Sequence, residues 1–121
     1  MKLLTASIRE QLLANGRANR REDGFPRERD AIDHKPVVKL FTPDAGCTWL
    51  LTELDPADPD IAFGLCDLGM GFPELGSVSI SELESVRGKL GLPVERDLHF
   101  MPTKTISAYA EEARREGCIR S

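Results

Sequence analysis

Aromatic side chains are few here: one tryptophan, one tyrosine and five phenylalanines among 121 residues. Proteins that hold single-stranded nucleic acid without reading its sequence stack bases on exposed rings, and a chain that must also fill a core has few to spare. Cysteine is scarce as well. Cys47, Cys66 and Cys118 are odd in number and form no Cys-x-x-Cys pair, so neither a disulfide framework nor a zinc knuckle is supported. The only histidines, His34 and His99, lie far apart, whereas a metal site needs ligands clustered at close spacing. Neither the phosphate-cradling Gly-x-x-x-x-Gly-Lys-Ser/Thr loop nor a Gly-x-Gly-x-x-Gly after a strand is present, which removes the common nucleotide-binding devices. No apolar run approaches the roughly 20 residues of a membrane span. Met1-Lys-Leu-Leu-Thr turns polar too soon for a signal peptide. The expectation is a cytoplasmic protein with no cofactor, no metal and no membrane partner.

The most informative lack is of positive charge. Net charge is only −4, yet no lysine or arginine stands between Lys39 and Arg87. That span carries Asp44, Glu53, Asp55, Asp58, Asp60, Asp67, Glu74, Glu82 and Glu84. The bases gather at the ends, among them Arg20, Arg21, Arg27 and Arg29 early and Arg114, Arg115 and Arg120 late. Such asymmetry bears on which partners a surface attracts.

At this length the chain suits one domain, 1–121. Its best-specified stretch is Ile80 to Phe100. Ser81 with Glu84 has the form of a capping box, Leu83 and Val86 share a helical face, and Gly88 sits where a left-handed residue would end the helix. Pro93 biases Leu92 to extended backbone, and a strand over 94–100 would turn Val94, Leu98 and Phe100 to one side, with Arg96 among them, and Glu95, Asp97 and His99 to the other.

Elsewhere, Thr5 can cap a helix to about Asn15, stopped by Gly16. Residues 17–35 are polar and densely charged, which predicts an extended or partly disordered loop. Strands are expected at 37–41, 47–54, 61–67 and 74–80, joined by the turns Thr42-Pro-Asp-Ala-Gly and Asp55-Pro-Ala-Asp-Pro-Asp and the loop Leu68-Gly-Met-Gly-Phe-Pro. Thr105 can open a last helix through about Glu116, with Ile106, Tyr109, Ala110 and Ala113 on one side and Gly117 at its end. The fold class is α+β: a curved antiparallel sheet of four or five strands, with an N-terminal helix, a short capped helix and a C-terminal helix, the helices covering one face.

The run Ser81-Glu-Leu-Glu-Ser-Val-Arg-Gly, followed by Gly91-Leu-Pro-Val-Glu-Arg-Asp-Leu, resembles a family of small uncharacterised proteins encoded on bacterial plasmids, integrative elements and phages. The likeness includes Lys39-Leu-Phe-Thr-Pro-Asp, Thr48-Trp, Thr52-Glu-Leu-Asp, Phe63-Gly-Leu and Glu74-Leu-Gly, and covers most of 1–102 outside 17–35. The family is a domain of unknown function. The resemblance implies a mobile-element context and carries over no catalytic residue.

Three functions compete. The first is a non-enzymatic mobile-element accessory protein that binds a protein partner, in one version antagonising a basic host defence or DNA-processing protein through an acidic face. Its residues are Arg87, Glu95, Arg96, Asp97 and His99 together with Asp44, Glu53, Asp55, Asp58 and Asp60. The first group could equally be an ion-pair network, and the second a solvated surface. Asp55, Asp58 and Asp60 as a magnesium site read more simply as an acidic turn, and Asp44 with Glu53 lacks the Glu-x-Lys of a nuclease core. The second function is a small hydrolase using His99 oriented by Asp97, with a thiol or water. The third is weak nucleic-acid binding through the terminal arginines, which the net negative charge disfavours.

Overall fold

The computed structural model describes residues 2–121. Helix α1 spans Ala6–Ala18 and α2 spans Ile80–Ser85, while α3 spans Ile106–Glu116. The strands are β1 (Val38–Phe41), β2 (Thr48–Asp55), β3 (Asp58–Asp67), β4 (Glu74–Ser79) and β5 (Glu95–Arg96). They form one antiparallel sheet in the order β4-β3-β2-β1-β5. The first four strands make the expected meander. The chain then crosses over α2 and returns to lay β5 beside β1 at the opposite edge.

Helices cover both faces of this sheet, not one. Trp49 and Leu51 of β2 bury with Leu12 of α1, Ile80 and Leu83 of α2, and the N-terminal Leu3 and Leu4. Leu50 between them points the other way and buries with Leu65, Ile106, Tyr109, Ala110 and Ala113 beneath α3. The pairing slips between Leu51 and Glu53. The extra residue re-phases the strand, so that Leu54, three positions after Leu51, rejoins the α1 side.

Thr5 caps α1 as expected, its hydroxyl accepting from Ile8 N at 3.2 Å. Gly16 does not stop the helix. It lies inside α1, and a Cβ there would fall 1.9 Å from Leu54 O of β2. Glycine is needed at this position because the helix lies directly on the strand backbone. α3 ends at Gly117, whose φ of 77° is the left-handed stop expected of it.

The Ile80–Phe100 stretch departs from its reading in three ways. The cap of α2 is Ser79, accepting from Glu82 N at 3.2 Å; the helix starts at Ile80, so Ser81 lies inside it, its amide and hydroxyl both bonded to Asp60. The helix ends at Val86, not Gly88. Gly88 is there for space, since a Cβ on it would lie 1.6 Å from Asp44 Oδ1. The last strand shrinks to Glu95–Arg96, so the alternation expected through Phe100 lapses and Leu98 is exposed. Leu98 therefore leaves the core side it was assigned to.

Beyond Ala18 the 17–35 stretch is irregular but fastened. Asn19 donates through Nδ2 to Glu53 Oε1 (2.9 Å) and accepts from Ile32 N (2.6 Å). Asp33 accepts from Ser107 N at 3.1 Å and His34 O from Ile106 N at 2.8 Å. Thr105 makes no side-chain cap bond, so the free amides opening α3 are met by this loop.

Candidate functional site

The acidic candidates divide between the two ends of the sheet. Asp44 sits in the β1–β2 turn. Asp55, Asp58 and Asp60 sit at the β2–β3 turn, with Glu53 just before it. The eight residues of β2 separate the two turns, about 25 Å at the rise of a strand.

Most of these carboxylates are engaged in holding backbone. Asp44 Oδ2 accepts from Leu90 N at 2.6 Å and Leu92 N at 3.4 Å, pinning the 88–92 loop to the turn. Asp55 accepts from Arg20 and from Ala57 N at 2.8 Å, and Asp58 from Asp60 N at 3.4 Å. Asp60 accepts from Ser79 Oγ (2.6 Å), Ser81 N (2.9 Å) and Ser81 Oγ (2.8 Å). These bonds, the Ser79 hydroxyl foremost, hold its carboxyl below the ordinary aspartate value of 3.8. A carboxylate with a lowered folded pKa stabilises above its unfolded value and loses that contribution as pH falls through the folded one. Asp60→Asn should therefore lower stability at neutral pH and narrow the gap to wild type below about pH 3.8, measured by urea titration at several pH values. A gap that stayed constant with pH would refute this role.

Three members of the second group are occupied in the same way. Arg87 Nη1 donates to Glu84 O (3.1 Å) and Val86 O (2.8 Å), closing the end of α2. Arg96 Nη1 donates to Leu3 O at 2.6 Å and Lys2 O at 3.2 Å, tying the N-terminal segment to β5. Asp97 lies 3.7 Å from Lys39 Nζ and accepts from His99 N at 2.8 Å. Glu95 and His99 face solvent. A shallow cavity beside β1 is lined by Lys39, Cys47 and Asp97 but not by His99. Burial pushes the Cys66 thiol up, away from the reactive thiolate. Of the early arginines, Arg20 is paired with Asp55, Arg21 with Asp23 and Arg27 with Asp30, which absorbs charge that phosphate would need.

The feature that sequence reasoning missed is apolar. At the β1–β2 turn end, the 68–73 loop holds out Leu68, Met70 and Phe72, exposed by 54%, 69% and 81%. Gly69 and Gly71 have φ of 78° and 85°, the left-handed conformation that turns the side chains between and after them outward. Gly69 rests on Gly46 of the β1–β2 turn. On the other side of that turn, the loop clamped by Asp44 presents Leu90, 80% exposed, and Leu92. Five large apolar side chains thus crown one end of the sheet, near Glu95 and Arg87. The signal was in Leu68-Gly-Met-Gly-Phe-Pro: a glycine-rich turn that nonetheless spends three large hydrophobic residues.

Among the described residues no group of three or more His, Cys, Asp or Glu side chains is placed to hold a metal ion, and no helix is long and apolar enough to cross a membrane. A family model described as a protein of unknown function, DUF2958, matches residues 3–120. The match takes in the 17–35 stretch and α3, further than the motifs quoted above. No curated protein and no solved structure matches the chain.

Proposed function

We propose, for a chain that belongs to the DUF2958 family, a role in binding a protein partner rather than in catalysis. The observation that carries this reading is the apolar crown of Leu68, Met70, Phe72, Leu90 and Leu92 at one end of the sheet. Soluble proteins rarely expose large apolar side chains contiguously unless something covers them. The resemblance to mobile-element proteins supports placing it among the accessory factors such elements carry. The lack of any lysine or arginine between Lys39 and Arg87 favours a basic partner, for which a nucleic-acid-processing or defence protein of the host is the fitting class. The apolar crown supplies affinity, and the acids, most of them at the far end of the sheet, supply long-range steering and rate of encounter.

The test uses the intact chain as bait in bacterial lysate beside the double variant Met70→Asp, Phe72→Asp. Both side chains are exposed, so the variant should melt as the wild type does. The protein captured by wild type is then purified and titrated against both chains. We expect at least tenfold weaker binding by the variant, since two apolar contacts are replaced by charges that must be desolvated. Equal affinities, or no specific capture by wild type, would overturn the reading.

A further inference from the structure

We propose that the free edge of β4 accepts an extended, basic-flanked segment of the partner protein as a sixth strand of the sheet. This deepens the partner-binding reading and rests on it.

The two edges of the sheet are treated differently. The β5 edge is two residues long, follows Pro93 and carries Glu95 and Arg96. These are the usual ways by which a protein blunts an edge: shortness, charge and proline. β4 also follows a proline, Pro73, and opens on Glu74, but it is three times as long and carries no charge after its first residue. It runs six residues, Glu-Leu-Gly-Ser-Val-Ser, with no proline or lysine within it. Its ladder to β3 is unbroken from Cys66↔Glu74 to Ile61↔Ser79. Among the described residues β3 is its only strand neighbour, so on its far side alternate N–H and C=O groups face outward without a strand partner. Its small residues, Gly76, Ser77 and Ser79, leave those groups accessible.

A groove of about 380 Å³ reaches from this edge inward over the α2 face of the sheet, its lining including Leu68, Val78, Leu83 and Glu82, with Ile61 of β3 and Trp49 of β2 at its inner end. In recognition by strand addition, main-chain bonds provide affinity while pockets for alternate side chains provide specificity. The groove is large enough for one or two apolar side chains of an added strand. It begins at Leu68, so the added segment would run onto the apolar crown.

Charge selects the occupant. Glu74 stands at one end of β4, and Asp60 and Glu82 stand at the other. Arg9, donating to Pro59 O at 3.4 Å, tempers only the Asp60 end. Antiparallel pairing with a second copy would set Glu74 of each chain against the acidic end of its mate, like charge on like. A segment with lysine or arginine at both flanks meets opposite charge at both ends instead.

The experiment selects binders to the intact chain from a phage library of random ten-residue peptides, then titrates the best sequence as a labelled synthetic peptide. We expect alternating apolar positions with lysine or arginine at the flanks. Methylating the peptide's backbone nitrogens one at a time should abolish binding at every second position and spare the positions between, the signature of a strand. Amide exchange along Glu74–Ser79 should slow on binding, and the variant Glu74→Lys, Glu82→Lys should bind about tenfold more weakly at low salt. Peptides that tolerate methylation at all positions, or that protect amides elsewhere, overturn strand addition. A chain that sediments as a dimer with slow β4 amides before any peptide is added assigns the edge to a second copy and overturns it too. These failures leave the Met70→Asp, Phe72→Asp result standing. Loss of that result with strand addition intact would overturn the crown alone.

Discussion

Gly16→Ala should destabilise this protein by about 2 kcal/mol, although in an isolated helix the same change would stabilise. In the middle of a helix, alanine is better than glycine by about 1 kcal/mol. Here the new methyl would sit 1.9 Å from Leu54 O and 3.1 Å from its carbonyl carbon. These atoms are backbone, held in β2 by the pairing of Leu54 with Ala62 of β3, so they cannot rotate aside as a side chain could. The helix must lift from the sheet by more than an ångström. That opens space around Leu12, which is wholly buried, and strains the bond from Asn15 Nδ2 to Thr52 O, now 2.9 Å. Overpacking of this kind costs about 1–3 kcal/mol and occasionally more, enough to outweigh the gain in propensity. The midpoint of thermal unfolding should fall by about 8 °C. A rise in stability on Gly16→Ala would mean that α1 does not lie on β2 at this distance.

Leu50→Ala should cost about 3 kcal/mol, and the damage should be felt first in α3. Leu50 and Leu51 are adjacent and both fully buried, but they serve opposite faces. Leu50 and its cross-strand partner Leu65 are the buried sheet residues beneath α3. The helix itself offers Ile106, Tyr109 and two alanines, which are too small to collapse into a cavity left by the lost leucine. Truncations of this type cost about 2–5 kcal/mol, more where neighbours cannot relax. Amide exchange in 106–116 should quicken by more than exchange in α1. For Leu51→Ala the order should reverse. If both variants loosened both helices equally, the two-faced arrangement of the core would be refuted.

Much of the architecture was legible because local chemistry and tertiary need agree. Turn residues at 42–46 and 55–60, the stop at Gly117 and the alternating runs between them gave the meander and α3, although β3 takes Asp58–Asp60 into the strand and leaves a tighter turn than expected. What was not legible came from contacts remote in sequence. Gly16 and Gly88 look like helix stops, yet each is a point where another segment comes close: the β2 backbone for one, Asp44 for the other. Ser81 looks like a cap, but the helix begins one residue before it and Ser79 is the cap, while Asp60 gathers the hydroxyls of both serines. The strand after Pro93 pairs with β1 at Leu40 and Phe41 and makes one more bond, from Asp97 N to Lys39 O, before Asp97 turns its carboxylate onto His99 N and the chain leaves the sheet. At the candidate site, charge drew attention to residues that mostly hold the fold together. The apolar crown went unread because turn glycines explain a loop without explaining the hydrophobic residues among them.

The bond between Asp33 and Ser107 joins positions 74 residues apart, whereas Asp55 and Asp58 close β2 onto β3 across two residues. Closing an open chain of the longer span costs about 2–3 kcal/mol more entropy than closing a four-residue turn. The order of assembly is therefore written into the connectivity. The hairpins of the meander can form early, while the strap at 32–34 and α3 can lock together only once most of the chain is in place. A protein built this way carries its slowest-won contacts at its C-terminal side. Interactions formed after the transition state govern how fast the native state comes apart, so the strap and α3 set its lifetime more than its speed of folding.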